Sequence, residues 1–215
     1  MRKDLILWGL VLLMLPLVAT AEEWTVMHPD HETLWKWVKA YEAAPRAPIR
    51  PEVSAPEGSF TLIGHLKYTP SERNQGSCGN CWAWAGTGCL EVALDVQAGI
   101  YDRLSVQYIT SCQEEVIGKP CCEGGWLSEV AQFYQITKTC IPWSNENARW
   151  QDGDASCDTA CNTIVTVPNY PIRRITAQTI ATTGVGQEAA ITNIKNVLAQ
   201  NRAVWYVFYL PDSAS

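Results

Sequence analysis

The stretch QGSCGNCW, residues 75–82, contains the residues from which we infer the fold and the chemistry of this protein. Two cysteines lie three positions apart, a glutamine stands six positions before the second, and a tryptophan follows it directly. From Cys81 onward, apolar residues recur at helical spacing as far as Gly99, a residue type that ends helices well. We therefore expect Cys81 in the first turn of a helix, where the helix dipole favours a thiolate over a thiol.

The first 21 residues have the order of a secretory signal peptide. Arg2 and Lys3 supply positive charge, residues 5–18 are apolar, and Ala19-Thr20-Ala21 offers small residues for cleavage after Ala21. About 14 apolar residues are fewer than the about 20 that span a bilayer. The sequence thus predicts a cleaved signal and a secreted protein with no stable membrane partner.

The charge and the cysteine count narrow the function further. A formal net charge of −6 without a basic cluster argues against a nucleic-acid partner. Cysteines of an exported protein pair as disulfides, and an odd total of nine leaves at least one thiol free. We expect His28, His31 and His65 at the surface or in structural roles, and neither a metal nor an organic cofactor.

Two segments resemble papain-like cysteine proteases. Residues 75–82 resemble the nucleophile segment of that family, and Cys122-Glu123-Gly124-Gly125-Trp126 resembles its Cys-x-Gly-Gly segment. The resemblance implies that Cys81 is the nucleophile, that Gln75 stabilises the oxyanion, and that Trp82 is the tryptophan beside the nucleophile. It also implies that Gly124, Gly125 and Trp126 line the substrate site. Residues 71–76 and 84–88 look most like archaeal members.

The same resemblance implies a disulfide framework, because connectivity does not follow from spacing alone. The implied bonds are Cys78–Cys122, Cys112–Cys157 and Cys140–Cys161. Cys89 is expected to be a buried small hydrophobe. Cys121 has no assigned partner and is a possible competitor of Cys122 for Cys78.

The predicted fold is α+β, with the two lobes of the papain fold: a helical first lobe and an incomplete β-barrel second lobe. The expected divisions are a signal peptide (1–21), a short pro-segment or linker (22–57), the helical lobe (58–163) and the start of the barrel lobe (164–215). Helices are predicted at 31–44, from 81 to Gly99, after a Ser105 cap, at 127–137 and at 188–200. Strands are predicted at 164–167, 172–175 and 203–210.

The resemblance also implies a histidine base and an asparagine that orients it. The sequence has no histidine after His65. In this family the two residues follow the cysteine by about 130–150 positions, and since residues 211–215 contain neither, we expect both beyond Ser215. We therefore expect the printed chain to be an inactive fragment of a secreted cysteine peptidase that hydrolyses proteins or peptides.

Two other functions are compatible with parts of the sequence. A papain fold can serve as a non-catalytic binding protein at the cell surface, since folds are reused for different functions. The Cys78-Gly79-Asn80-Cys81 run also has the spacing of a thiol–disulfide oxidoreductase. The tryptophan after the pair and the lack of a strand-helix-strand unit around it disfavour the second alternative.

Overall fold

A computed structural model of the chain describes residues 30–54 and 57–207. Its helices are α1 (His31–Ala43), α2 (Cys81–Ala98), α3 (Val106–Ile117), α4 (Leu127–Thr137) and α5 (Gln187–Ala199). Two short strands, β1 (Thr139–Cys140) and β2 (Tyr170–Pro171), pair antiparallel, and Cys140 lies opposite Tyr170. No helix in the described ranges is long and apolar enough to cross a bilayer. The expected signal peptide, residues 1–21, and His28 lie outside these ranges.

The ends of the helices follow from capping residues that the sequence shows. The Asp30 carboxylate accepts a hydrogen bond from the Thr33 N–H at 2.7 Å, and the Ser105 hydroxyl accepts one from the Tyr108 N–H at 2.9 Å. Gly99 closes α2 in the left-handed conformation, with φ of 65°. The predicted helices are therefore confirmed, with ends that differ by at most a residue or two.

The predicted strands are wrong where they can be compared. Residues 164–167 and 172–175 are irregular, and the only pairing nearby is that of Tyr170 and Pro171 with β1. Pro168 and Pro171 lack the N–H that a sheet ladder requires. The Asn145 amide donates instead to the carbonyls of Val165 and Pro168, both at 2.8 Å. Residues 203–207 are also irregular, and the rest of the third predicted strand lies outside the described residues.

The core lies between α2, α3 and α4 and is rich in aromatic side chains. Its largest fully buried members are Trp82, Tyr134, Phe133, Leu104, Ile109 and Ile141. Gly86 lets α2 approach α4 closely, because a Cβ at this position would lie 2.6 Å from a methyl group of Val130. The tight packing explains why α2 contains a glycine that weakens an isolated helix.

The loop before α2 is held against a second loop that contains Gly153. Gly76 has φ of 64°, and a Cβ on this residue would overlap the carbonyl group of Gly153. The same Gly153 carbonyl accepts a hydrogen bond from the Ser77 N–H at 2.7 Å. The Asn74 side chain accepts one from the Gly76 N–H at 2.9 Å. Gly76 thus fixes the path of the chain that leads into Cys81.

A carboxyl group is buried on the far part of α2. Glu91 is almost fully buried and accepts hydrogen bonds from the Tyr68 hydroxyl at 2.5 Å and the Leu104 N–H at 2.8 Å. Burial raises the pKa of Glu91 above its ordinary value, and these hydrogen bonds oppose that rise only in part. Through these hydrogen bonds Glu91 connects α2 to the chain before it, at Tyr68, and after it, at Leu104. The cost is that an ionisable group is held inside the core.

The raised pKa of Glu91 predicts a pH dependence of stability. Because the folded protein binds this proton more tightly than the unfolded chain, the contribution is fully present below about pH 4, the unfolded pKa. It is lost as the pH rises through the folded pKa. Glu91→Gln keeps an acceptor for Leu104 and cannot ionise. Its free energy of unfolding in urea should therefore rise relative to wild type as the pH is raised above about 4, through the folded pKa of Glu91. A difference that stays constant with pH would contradict the raised pKa.

The close approach of Gly76 to the Gly153 carbonyl predicts that a methyl group added at residue 76 strongly lowers the free energy of unfolding. Gly99→Ala should lower the free energy of unfolding by about 1–2 kcal/mol, the cost of a left-handed alanine, because nothing lies within 4 Å of its Cβ. Gly76→Ala adds the clash with Gly153 to the same conformational cost. Urea unfolding should show at least twice the loss for Gly76→Ala; equal losses in the two variants would mean that the loop simply moves aside.

Candidate active site

Cys81 is the first residue of α2, and its side chain is exposed at the wall of a cleft of about 920 Å³. Gln75, Trp82 and Gly125 line the same cleft, which is otherwise mostly apolar. Asn80, the residue before the helix, is fully buried and donates from its amide to the Thr110 hydroxyl at 3.0 Å. The Cys81 thiol therefore lies at a helix N-terminus, and the residue before it, Asn80, is held against α3.

The surroundings of Cys81 oppose ionisation of its thiol. Burial by the cleft wall raises the pKa of Cys81, while backbone N–H groups of Trp82 and Cys81 lower it by less. The expected effect of the helix N-terminus is thus present but is smaller than the cost of desolvation. A thiol in this position is mostly protonated at neutral pH unless a cation is placed beside it.

Neither described histidine supplies that cation. The His65 Nδ1 lies 2.7 Å from a carboxylate oxygen of Asp95, which is near the other end of α2. Fourteen residues of helix separate Asp95 from Cys81, a distance of about 21 Å. His31 lies in the first turn of α1, a separate helix of the N-terminal segment. His65 thus fastens the chain before the core to the end of α2.

Gln75 lies in the loop that Gly76 fixes, and its side-chain amide donates to the Cys78 carbonyl at 3.0 Å. An amide has two N–H donors, so one remains for another acceptor. The structure therefore brings the predicted nucleophile and the predicted oxyanion donor to the same cleft. Cys78 connects them along the chain.

The second predicted segment packs against the first through Trp82. A Cβ on Gly125 would lie 2.6 Å from the Trp82 ring, and the Trp82 indole N–H donates to the Glu123 carbonyl at 3.1 Å. The backbone N–H and carbonyl of Gly125 have no hydrogen-bond partner within residues 30–54 and 57–207. Gly125 is buried at the wall of the cleft, and its N–H and carbonyl are the donor and acceptor that pairing with an extended peptide backbone requires.

Trp126 faces two other tryptophans. Its ring stacks on Trp37 of α1, with centroids 5.4 Å apart and planes at 13°, and meets the edge of Trp205 at 5.2 Å. Trp37 is buried in this contact although most of α1 is exposed. The predicted substrate-site residue Trp126 is therefore covered by the N-terminal helix.

The disulfides differ in part from the implied framework. Cys78–Cys122 is present as expected, and the Gly79 N–H also donates to the Cys122 carbonyl at 3.1 Å. The expected Cys112–Cys157 and Cys140–Cys161 bonds are wrong. The structure has Cys112–Cys161 and Cys121–Cys157 instead.

The correction has a physical reason. Cys140 is completely buried in β1, whereas Cys161 lies with its Cα 4.7 Å from that of Cys112 on α3. Cys121 and Cys157 come within bonding distance, with Cα atoms 6.1 Å apart, and so the residue without an assigned partner has one. Cys78 and Cys81 are not bonded to each other, which disfavours the oxidoreductase alternative.

One charged group at this site was missed from the sequence. The Lys119 ammonium donates to the Gly124 carbonyl at 2.7 Å and lies 3.0 Å from a carboxylate oxygen of Glu129. Glu129, the third residue of α4, is an acidic residue in the first turn of a helix, a position that the sequence shows. No spacing in the sequence indicates Lys119, because its contacts exist only once the loop after α3 has folded back on the glycine segment.

Comparisons with known proteins give a family match and several similar relatives. Residues 66–208 match the family model described as papain family cysteine protease. Pro-cathepsin H of Bos taurus is 33% identical over 38% of this chain and 24% of its own length. Cathepsin L 2 of Paramecium tetraurelia is 35% identical over 41% of this chain and 30% of its length. Cathepsin B-like CP2 of Giardia intestinalis is 30% identical over 55% of this chain and 40% of its length.

A solved structure, digestive procathepsin L 3 of the Tenebrio molitor larval midgut, aligns with a TM-score of 0.42 at 19% identity. The alignment covers 77% of this chain and 50% of that one. The chain spans between about a fifth and two fifths of the length of the curated relatives it matches. Since the family model covers most of the chain, the protein belongs to the papain family of cysteine proteases.

Proposed function

We propose that the protein is an exported cysteine peptidase that hydrolyses peptide bonds with Cys81 as its nucleophile. The observation that carries the proposal is the pairing of a free, exposed thiol at a helix start with Gln75 in one cleft. A binding protein has no need of a nucleophile beside an oxyanion donor. The three disulfides support an oxidising compartment, as expected for an exported protein.

The reaction begins when the Cys81 thiolate attacks the carbonyl carbon of the scissile peptide bond. A C–S bond forms, and the carbonyl oxygen becomes an oxyanion that accepts hydrogen bonds from the Gln75 amide and the Cys81 N–H. The C–N bond then breaks, and the leaving amine takes the proton that the catalytic base removed from the thiol. Water hydrolyses the thioester and restores Cys81.

The base must be a residue that also acts as a cation beside Cys81. We infer that this base is a histidine oriented by an asparagine, as in the Cys-His-Asn arrangement. The distance of His65 and the raised pKa of the Cys81 thiol both support this inference. A histidine cation would offset the desolvation that keeps the thiol protonated.

Proteins or peptides are the proposed substrates, bound in extended form along the glycine segment. The unpaired N–H and carbonyl of Gly125 suit backbone pairing, and Gly124 continues the same edge. Trp126 offers an apolar wall for a substrate side chain. An aromatic wall of this kind favours apolar or aromatic residues at that position of the substrate.

The segment before residue 58 is the proposed pro-segment. The end of α1 and the chain after it lie beside residues 179–182: the Tyr41 hydroxyl of α1 donates to the Ile180 carbonyl at 2.9 Å, and the Ala47 N–H donates to that of Thr179 at 2.8 Å. No residue of 30–54 lines the cleft of Cys81. Residues 30–54 therefore reach the proposed substrate site through Trp37 on Trp126 and leave the cleft of Cys81 uncovered.

Replacement of the nucleophile tests the proposed function. In the full-length gene product, Cys81→Ala should lower hydrolysis of a fluorogenic peptide by at least about a thousandfold, with unchanged urea unfolding. Cys89→Ala is the matched control, because Cys89 lines the same cleft from the same helix and its pKa is raised to about 11. Hydrolysis that survives Cys81→Ala would contradict the assignment. A full-length protein that binds peptides without cleaving them would be a binding homologue.

Removal of the Trp37 ring tests the role of the N-terminal helix. Trp37→Ala should uncover Trp126 and raise hydrolysis of a short peptide by the unprocessed protein about tenfold, since a buried aromatic pair contributes about 1 kcal/mol or more. Trp35→Ala is the control, because that ring is 57% exposed on the same helix. Equal rates for both variants would show that α1 does not restrict the substrate site.

A further inference from the structure

We propose that Lys119 is a positioning residue for peptide substrates: it holds the backbone of Gly124–Trp126 in the conformation that receives the substrate. The inference rests on the proposed peptidase function and deepens it. Nothing in the two family-like segments includes Lys119, which lies just after the end of α3. Its role follows from where its ammonium group lies in the folded protein.

The Lys119 ammonium is almost enclosed, with 12% of the side chain exposed. Its three N–H donors face three oxygens: the Gly124 carbonyl at 2.7 Å, a Glu129 oxygen at 3.0 Å and a Glu123 oxygen at 3.8 Å. A buried cation is costly unless it is paired and hydrogen-bonded. Since Glu123 is largely exposed, the two inner partners, Gly124 and Glu129, determine where the ammonium lies.

Glu129 extends this contact to the next backbone group. Its first carboxylate oxygen binds Lys119, and its second accepts a hydrogen bond from the Trp126 N–H at 2.6 Å. One lysine and one glutamate thus hold the backbone groups on either side of Gly125. Charged hydrogen bonds of this kind are shorter and stronger than neutral ones.

The opposite side of the segment rests on Trp82. The ring of Trp82 lies directly under Gly125, and the Lys119 ammonium is 6.0 Å from the centre of that ring. The neighbours of Gly125 are fixed by charge and its underside by an apolar surface, while its own N–H and carbonyl have no hydrogen-bond partner among the described residues. The consequence is an edge that is rigid before a peptide arrives, which reduces the entropy lost on binding.

Loss of Lys119 should therefore weaken the binding of the peptide more than the chemical step. In the full-length gene product, Lys119→Met keeps the apolar stem and removes the charge, and it should raise KM about tenfold with kcat changed less than about twofold. Lys119→Arg restores a cation and should bring KM back to within about threefold of wild type. Glu129→Gln weakens the same connection from the other side and should raise KM in the same direction.

Lys67→Met is the matched control, because Lys67 forms an exposed ion pair with Asp102 away from the glycine segment. The second readout needs no substrate: hydrogen exchange of the 122–127 backbone should be faster in Lys119→Met and unchanged in Lys67→Met. A wild-type protein without peptidase activity would overturn the proposed function. An active wild type with an unchanged KM in both Lys119→Met and Glu129→Gln would overturn the role of Lys119 alone.

Discussion

The link between Cys78 and Cys122 is the constraint on which the site depends. It joins the loop that enters α2 to the segment that precedes α4, and the Gly79 N–H bonded to the Cys122 carbonyl adds a second connection at the same place. The two segments are 44 residues apart in sequence, so without a bond their approach would be costly in chain entropy. Gln75 and Cys81 lie near the Cys78 end of this disulfide, and Gly124–Trp126 follow its Cys122 end.

Electrostatics at the site is governed by the low polarity of its walls. Burial by its neighbours raises the pKa of Cys81, and the low exposure of Lys119 separately strengthens the contacts of its ammonium with Gly124 and Glu129. A thiol in such a place is inert until a cation is beside it, whereas an enclosed lysine with two anchored partners is held firmly. Under the proposed function, the glycine segment is a prearranged binding edge and Cys81 is a nucleophile that a neighbouring cation activates.

The sequence predicted local features well. Asp30 and Ser105 cap helices through their own side chains, and Gly99 ends α2, because these effects involve neighbours within one or two turns of chain. The strands failed for the opposite reason. An apolar stretch such as residues 164–167 fits a strand only if a partner strand is available, and here the carbonyls are bound by Asn145 instead.

The cysteines show most clearly the difference between local features, which the sequence predicts, and distant pairings, which it does not. By itself the sequence determined that Cys81 begins a helix and that the chain carries the two papain-like segments, since both are written in adjacent residues. Only the tertiary structure decided that Cys161 bonds to Cys112, that Cys140 stays a buried thiol, and that Lys119 reaches Gly124. Pairings between distant residues depend on where the core places each backbone, and a linear spacing does not contain that information.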